Sequence, residues 1–276
     1  MRESFLSLFG TNRPVIGMVH VKPLPGTPMY DQGKGFQWIV DNAMKDVETL
    51  AKAGVDGIQI ENQFDRPYLR ENEIGPETVS FLTYIISLAR RIWDKPMGTH
   101  VLLNGCMQAL AIARATGCKW IRAYEIANGY ISNSGYIEAT GPKLMRYRHN
   151  IDADDILIFG DFCVKHGSHA ITADRPLVDH AHDVQELCGD AAIITGAATG
   201  TPPDVESCKL IKGRIEIPLL LGSGVSLKNI EELWPVADGA IIGSAFKKNS
   251  DLTNPIDYEL TKAFVDKAKN IDAGIK

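Results

Sequence analysis

Short apolar runs with the composition of buried β-strands recur eight times along the chain, and segments with helical patterning separate them. The runs cover residues 15–21, 57–60, 97–102, 120–124, 156–164, 191–195, 218–221 and 239–242. Residues 36–53 and 78–93 are two of the helical segments. Strands that are apolar on both faces and alternate with helices are typical of a covered parallel sheet. Eight such units predict an α/β protein with a (β/α)8 TIM barrel, and an open doubly wound sheet is the alternative.

The length and patterning favour one domain. A chain of 276 residues is within the size range of a single α/β barrel, and no linker or low-complexity segment interrupts it. We therefore expect one barrel domain over residues 1–276, with a short N-terminal extension. A long segment at 126–153 follows the fourth strand and includes a helical pattern at 142–150. Because loops after barrel strands lie on the catalytic face, this segment is either a lid or a passive excursion.

Composition and charge restrict the class of partner. The net charge of −5 gives no reason to expect nucleic acid or an anionic membrane as a partner. No apolar stretch approaches the roughly 18 residues of a membrane span, and the N-terminus lacks the pattern of a signal peptide. Five cysteines without a CxxC pair predict neither disulfides nor a cysteine zinc site. We expect a cytoplasmic homo-oligomer that needs no organic cofactor.

Glycine-serine turns follow the last two predicted strands. Gly222, Ser223 and Gly224 follow the seventh strand, and Gly243 and Ser244 follow the eighth. In TIM barrels the corresponding loops bind phosphate through backbone N–H groups. The pattern predicts a phosphate site there, although such turns are also ordinary punctuation between elements. A further glycine-rich turn at 195–200 adds Thr195 for substrate binding and Gly196 for phosphate binding.

Polar side chains cluster at the carboxyl ends of the predicted strands, where a barrel places its active site. The predicted catalytic residues are His20, Glu61, His100, Asp161 and Lys165. The predicted substrate-binding residues, besides Thr195, are Asn62, Asn104, Arg122, Glu125 and His166.

Carboxylates and an amine in one mouth can transfer protons, and the lysine can also form a Schiff base. We expect Glu61 or Asp161 to act as general acid or base, and His20 and His100 to relay protons or orient groups. The alternative is a structural ion-pair lattice, in which Asp161 pairs with Lys165 and Arg122 offsets Glu61 or Glu125. The two-residue period of a strand places Asp161, Cys163 and Lys165 on one face.

The histidine patterns give weak support for a metal. His166 with His169, and His180 with His182, resemble ligand pairs. Residues two apart on a helix point in different directions, so His180 and His182 are interpreted as a solvated helix start. A divalent ion between Glu61 and Asp161 is an open alternative, and no metal-binding residue is assigned.

Several segments resemble the BtpA/SgcQ family. They are VIGMVHVKPLPGTP at 15–28, GVDGIQIEN at 54–62, MGTHVLLN at 97–104, RYRHNIDADDILIFGDFCVKH at 146–166, TGAATG at 195–200, LLLGSGV at 219–225 and GAIIGSAFK at 239–247. The resemblance implies a TIM barrel of the ribulose-phosphate-binding type. It carries two functional labels: a factor for photosystem I accumulation at thylakoid membranes, and an enzyme of sugar metabolism that is sometimes labelled a nucleosidase.

The third-strand segment departs from the family pattern. His100, Leu103 and Gly105 stand where the family is expected to have asparagine, arginine and aspartate. The loss of an arginine and the gain of a histidine change the charge and hydrogen bonding of the mouth. The segment around Glu125 also differs. These departures predict a substrate that differs from that of the relatives.

Two functional hypotheses follow. The first is an enzyme that acts on a phosphorylated sugar or related metabolite by isomerase or epimerase, lyase or nucleosidase chemistry. The second is a non-enzymatic assembly factor for photosystem I, which would work through its outer surface. Peripheral membrane contact in that case would need an amphipathic helix, and the best candidate is the short segment 2–8.

Overall fold

Eight parallel strands close into a barrel in the computed structural model, which describes residues 2–196 and 200–274. The order around the ring is β1-β10-β9-β8-β7-β4-β3-β2. The barrel strands are β1 (Val15–His20), β2 (Gly57–Glu61), β3 (Met97–His100), β4 (Trp120–Ala123), β7 (Leu157–Asp161), β8 (Ala191–Ile194), β9 (Leu219–Leu221) and β10 (Ala240–Ile242). The predicted single-domain TIM barrel is confirmed.

Helices surround the barrel, and those described other than α1 cover its outer face, to which they present an apolar stripe. They are α1 (Arg2–Phe9), α2 (Gly35–Ala53), α3 (Pro76–Ile92), α4 (Cys106–Thr116), α5 (Gly141–Asn150), α6 (Leu177–Glu186), α7 (Val205–Lys212), α8 (Ile230–Leu233) and α9 (Tyr258–Gly274). In α2, Ile39, Ala43, Val47 and Leu50 are buried at helical spacing. The helix ends at Gly54, whose φ of 84° suits a residue without a side chain.

Helix α1 differs from the others, because it lies across the end of the barrel where the strands begin. Phe5 is fully buried, and its ring centroid is 5.7 Å from that of Phe159. Phe9 packs against Trp120, the first residue of β4, at 5.4 Å. The segment considered for membrane contact therefore has its apolar side inside the protein, and that hypothesis for residues 2–8 is wrong. Within the described ranges, no helix is long and apolar enough to span a bilayer.

The segment after β4 contains a hairpin, β5 (Tyr130–Ser132) and β6 (Gly135–Ile137), followed by α5. The hairpin is tied to loops on both sides of the mouth. Ser134 Oγ donates to the Tyr68 carbonyl at 2.8 Å, and Ile131 and Ser168 exchange backbone hydrogen bonds of 3.1 and 2.8 Å. These contacts fix the hairpin beside the mouth.

Two local expectations are wrong. Strand β7 ends at Asp161, and Cys163 has a left-handed φ of 49°, so the alternation that was expected to align Asp161, Cys163 and Lys165 stops. His180 is only 3% exposed, because it lies on the inner side of α6, whereas His182 is exposed as expected of a solvated helix. Residues 197–199 of the third glycine-rich turn lie outside the described residues.

Candidate functional site

A cavity of about 730 Å³ opens at the end of the barrel where the strands finish. Ten of the residues proposed from the sequence line it: His20, Glu61, Arg122, Lys165, His166, Gly222, Ser223, Gly224, Gly243 and Ser244. The other seven are not lining residues: Asn62, His100, Asn104, Glu125, Asp161, Thr195 and Gly196. The barrel thus brings together both glycine turns, an amine and a carboxylate.

Glu61 is 3% exposed and lies between two histidines. Its Oε2 is 3.2 Å from His100 Nδ1, and its Oε1 is 3.6 Å from His20 Nε2. Burial alone would raise the pKa of Glu61, but the hydrogen bond with His100 and the neighbouring positive charges outweigh it and lower this pKa to about 2. Glu61 is therefore ionised at neutral pH. The Gln63 amide, turned so that its nitrogen faces Glu61, adds a donor at 3.0 Å.

His20 is held neutral beside this carboxylate. Burial lowers the pKa of His20 to about 4, against the attraction of Glu61. Within the described part of the chain, Nδ1 of His20 and Nε2 of His100 are buried and have no hydrogen-bond partner. A buried polar atom without a partner costs free energy, so these two nitrogens are open positions in an otherwise bonded cluster.

Arg122 and Asp161 form a buried ion pair with two parallel hydrogen bonds. Arg122 Nε and Nη2 each donate to one carboxylate oxygen of Asp161 at 2.7 Å. Both side chains are almost completely buried, and the pair satisfies the carboxylate with the planar fork that guanidinium provides. The alternative in which Asp161 pairs with Lys165 is therefore wrong, whereas the charge of Arg122 does help to lower the pKa of Glu61.

Lys165 lies between the charged cluster and the first glycine turn. Its Nζ donates to Ser223 Oγ at 3.3 Å. Burial and the charge of Arg122 lower the pKa of Lys165 to about 8, although Asp161 and Glu61 oppose this. An amine with a pKa near neutrality exchanges protons more readily than an ordinary lysine.

The glycine turns leave no room for side chains. A Cβ on Gly222 would lie 2.4 Å from Ile193 Cγ2, and one on Gly243 would lie 2.9 Å from His20 Cε1. Gly224 has a φ of 73° and packs against the backbone of Thr201. Gly222 N–H is used in the sheet, where it donates to the Ile194 carbonyl at 2.8 Å. The turns therefore bring backbone to the cavity surface, as an anion site requires.

Most of the predicted residues outside the cavity support neighbouring loops. Asn62 accepts from Leu102 N at 2.8 Å, and Asn104 donates to the Glu138 carbonyl at 3.3 Å. Glu125 accepts from Val164 N at 2.8 Å, and its burial raises its pKa to about 8. Gly196 packs against the Thr201 carbonyl. These contacts hold the rim of the mouth.

The charged groups do not form a metal site. Both oxygens of Asp161 accept from Arg122, so the divalent-ion site between Glu61 and Asp161 lacks a second free carboxylate. Across residues 2–196 and 200–274, no group of three His, Cys, Asp or Glu side chains is arranged to hold a metal ion.

Several cavity residues escaped the sequence reasoning. They come from the loop after β2, the ends of β3 and β4 and the hairpin, and include Gln63, Arg66, Tyr68, Leu102, Tyr124, Tyr130, Ser132 and Asn133. Leu103, which the sequence analysis named only as an expected departure from the family pattern, also lines the cavity. Tyr124 was counted as the last residue of a strand, and Tyr130 was part of an unassigned loop. The sequence did contain a signal for Tyr124, because a residue directly after an apolar barrel strand is expected at the mouth.

The closed parallel barrel, with a cavity lined by charged and aromatic side chains where the strands end, is a TIM barrel. The chain belongs to the BtpA family, whose model matches residues 11–270.

Relatives match the sequence of this chain over most of their lengths. Uncharacterized protein MJ1115 of Methanocaldococcus jannaschii is 34% identical over 259 residues, which are 94% of this chain and 96% of that protein. Photosystem I biogenesis protein BtpA of Synechocystis is 33% identical over 260 residues, 94% of this chain and 88% of that protein.

Among solved structures, orotidine 5′-monophosphate decarboxylase of M. jannaschii has a TM-score of 0.58 at 17% identity, with 92% of this chain and 97% of that chain covered. N-(5′-phosphoribosyl)anthranilate isomerase of Pyrococcus furiosus has a TM-score of 0.55 at 14% identity, with 94% and 100% covered. At these identities the likeness concerns the fold.

Proposed function

We propose that this chain is an enzyme that binds a phosphorylated small molecule in the barrel mouth and catalyses a proton transfer on it. The observation that carries this proposal is that Lys165, with a pKa of about 8, shares one cavity with ionised Glu61 and with two glycine turns. Perturbed ionisable groups that converge in a cleft are characteristic of active sites.

The phosphate is assigned to the turns after β9 and β10. Gly222, Gly224 and Gly243 line the cavity there, although the Gly222 N–H is already used in the sheet, and Lys165 adds a positive charge beside Ser223. Backbone N–H groups and an amine together stabilise a dianion. Solved structures with this fold include proteins named for phosphorylated compounds, such as the decarboxylase and the isomerase above, which supports this assignment.

The acidity of each group suggests its role. A carboxylate with a pKa of about 2 is a weak base, so Glu61 is better suited to stabilise positive charge and to orient His20 and His100. Lys165 is matched to proton transfer near neutral pH, and neutral His20 has a free nitrogen to accept or relay a proton. Asp161 acts by positioning Arg122, because both of its oxygens are engaged.

This arrangement favours isomerase, epimerase or lyase chemistry over nucleosidase chemistry. Most glycoside-cleaving enzymes use two carboxylates that face the scissile bond. Of the described residues that line the cavity, Glu61 is the only carboxylate. Proton transfer by an amine and an imidazole fits the available groups better.

The proposal is tested by calorimetric titration with ribulose 5-phosphate and inorganic phosphate between pH 6.5 and 9.5. We expect both to bind, and affinity to fall as pH rises through about 8, because Lys165 then loses its charge. Lys165→Met should bind about 10-fold more weakly at pH 7, a change of about 1.4 kcal/mol, and should lose this pH dependence.

The exposed Lys209, which pairs with Glu206 on α7, supplies the matched control. Lys209→Met should behave like the wild-type protein. If neither phosphate compound binds, or if Lys165→Met binds as the wild type does, the assignment of the anion site is wrong.

The alternative function is assembly of photosystem I, the role in the name of the Synechocystis relative. That role would use the outer surface, so Glu61→Gln and Lys165→Met should leave it intact. The apolar side of helix α1 is inside the barrel and gives it no membrane anchor. Loss of a cellular function in both cavity variants would favour the enzyme.

A further inference from the structure

The cavity has two chemically different sides. The glycine turns follow β9 and β10, and these strands lie four positions around the ring from β3 and β4, respectively. The residues that follow β3 and β4 therefore face the glycine turns across the mouth. Together with Tyr68 from the loop after β2, they belong to a small apolar cluster that is separate from the main core. We call the members of this cluster that line the cavity the aromatic wall: Tyr68, Leu102, Leu103, Tyr124 and Tyr130.

The aromatic wall suits a flat apolar ring better than a sugar. Three tyrosine rings and two leucines line the cavity on this side. A sugar can present the C–H bonds of one ring face to such side chains, but its hydroxyl groups would find no polar partner on the leucines, whereas an aromatic ring is apolar on both faces. The cavity volume of about 730 Å³ also lies in the upper part of the range of about 300–1,000 Å³ that is typical for drug-sized ligands.

The charges next to the wall restrict the ligand further. Arg122 lies 5.2 Å from the Tyr124 ring centroid, and Arg66 lies 6.0 Å from that of Tyr68. Two guanidinium groups already occupy the cation-binding positions of these rings and would repel a cationic ligand. Aromatic rings also prefer to pack against other rings in offset or tilted arrangements.

We propose that the ligand is a phosphate monoester whose second group is a planar, uncharged or anionic aromatic ring, which packs against the aromatic wall across the mouth from the phosphate. This inference rests on the proposed function, because it takes the phosphate to be bound at the glycine turns. Leu103 is then a specificity-determining residue.

The test compares three probes with the same anionic group by calorimetric titration of the wild-type protein: inorganic phosphate, ethyl phosphate and phenyl phosphate. We expect phenyl phosphate to bind at least 10-fold more tightly than ethyl phosphate. Leu103→Asn keeps the side-chain size but makes the wall polar, so it should reduce this ratio to about twofold. Its affinity for inorganic phosphate should stay within twofold of the wild type.

Leu69→Asn is the control, since Leu69 is exposed and outside the cavity, and it should keep the wild-type ratio. Thermal unfolding of each variant verifies that it is folded. If Leu103→Asn does not fold, the inference is decided by the ratio of phenyl phosphate to ethyl phosphate affinity in the wild-type protein. Equal affinity for ethyl and phenyl phosphate would overturn this inference and leave the phosphate site standing. Failure of all three probes to bind would instead overturn the proposed function.

Discussion

Individual residues at the mouth differ in how completely their charges are satisfied. Arg122 and Asp161 form an ion pair in which two guanidinium nitrogens donate to both carboxylate oxygens. Glu61, by contrast, is held by two imidazoles that each keep one nitrogen free. Because burying an unpaired charge is costly, the pair of Arg122 and Asp161 is suited to a structural role. In the second group, Glu61 and His20 line the cavity, so chemistry is expected around Glu61.

Replacement of His20 should change how stability depends on pH. Burial lowers the pKa of His20 from 6.5 to about 4, so the unfolded chain binds a proton in this interval and the folded chain does not. Stability from this residue is therefore complete above pH 6.5 and is lost as pH falls to about 4. The loss amounts to about 3 kcal/mol at 1.36 kcal/mol per pKa unit.

Chemical denaturation of the wild type and His20→Asn at several pH values measures this effect. The variant should lose less stability than the wild type between pH 6.5 and 4. His182→Asn, on the exposed face of α6, should follow the wild type. Parallel curves for the wild type and His20→Asn would contradict the buried neutral state of this histidine.

The sequence identified the charged mouth residues but could not predict their pairing. A polar residue after an apolar strand was enough to select His20, Glu61 and Lys165. Arg122 and Asp161 are 39 residues apart, and only the side-by-side placement of β4 and β7 lets them meet. Partners in a closed barrel are set by ring order and register, which spacing along the chain does not encode.

The hairpin is the element that most alters the barrel mouth. It brings Tyr130 into the aromatic wall and Ser132 and Asn133 to the rim. Its strands have only three residues each, and Gly135 has a left-handed φ of 97°. Strands this short are marginal without tertiary contacts. The contacts with the loops after β2 and β7 therefore hold it in place.

Ser134→Ala should loosen the hairpin. The substitution removes the hydrogen bond from Ser134 Oγ to the Tyr68 carbonyl, which is worth about 1 kcal/mol locally. Hydrogen exchange at the Ile131 and Ser168 amides, which bond the hairpin to the β7 loop, should become about 5-fold faster.

Ser80→Ala on the exposed side of α3 serves for comparison and should leave the exchange rates unchanged. Unaltered exchange in Ser134→Ala would mean that this bond does not hold the hairpin.

Elements with strong periodicity were predictable, and the hairpin was not. Apolar runs of four or more residues identified all eight barrel strands, because burial on both faces requires such runs. Residues 130–137 contain two tyrosines and two isoleucines around two serines, an asparagine and a glycine, and this mixture has no period that distinguishes a hairpin from a loop.

In the whole molecule, the residues of the cavity and the residues packed around α1 lie at opposite ends of the barrel. One end of the barrel carries the charged cavity, and the other is filled by α1 against an aromatic cluster. Trp120 and Phe159 lie between the cavity and α1, and their rings stack with a centroid distance of 5.5 Å. Changes at the α1 end should therefore alter unfolding without altering ligand binding.

Phe5→Ala tests this separation. Removal of a fully buried phenyl ring should lower the free energy of unfolding by about 3–5 kcal/mol. Affinity for inorganic phosphate, measured well below the unfolding temperature, should remain within twofold. Ser7→Ala, on the exposed side of α1, should change neither quantity. A large loss of phosphate affinity in Phe5→Ala would show that the two ends are coupled.

Helix α1 also has a consequence for synthesis of the chain on the ribosome. Phe5 and Phe9 leave the ribosome early, but their ring partners Phe159 and Trp120 follow more than a hundred residues later. The helix cannot reach its final place until β7 has been made, and its apolar side stays exposed during that interval. We therefore expect a chaperone to bind this segment of the nascent chain during that interval.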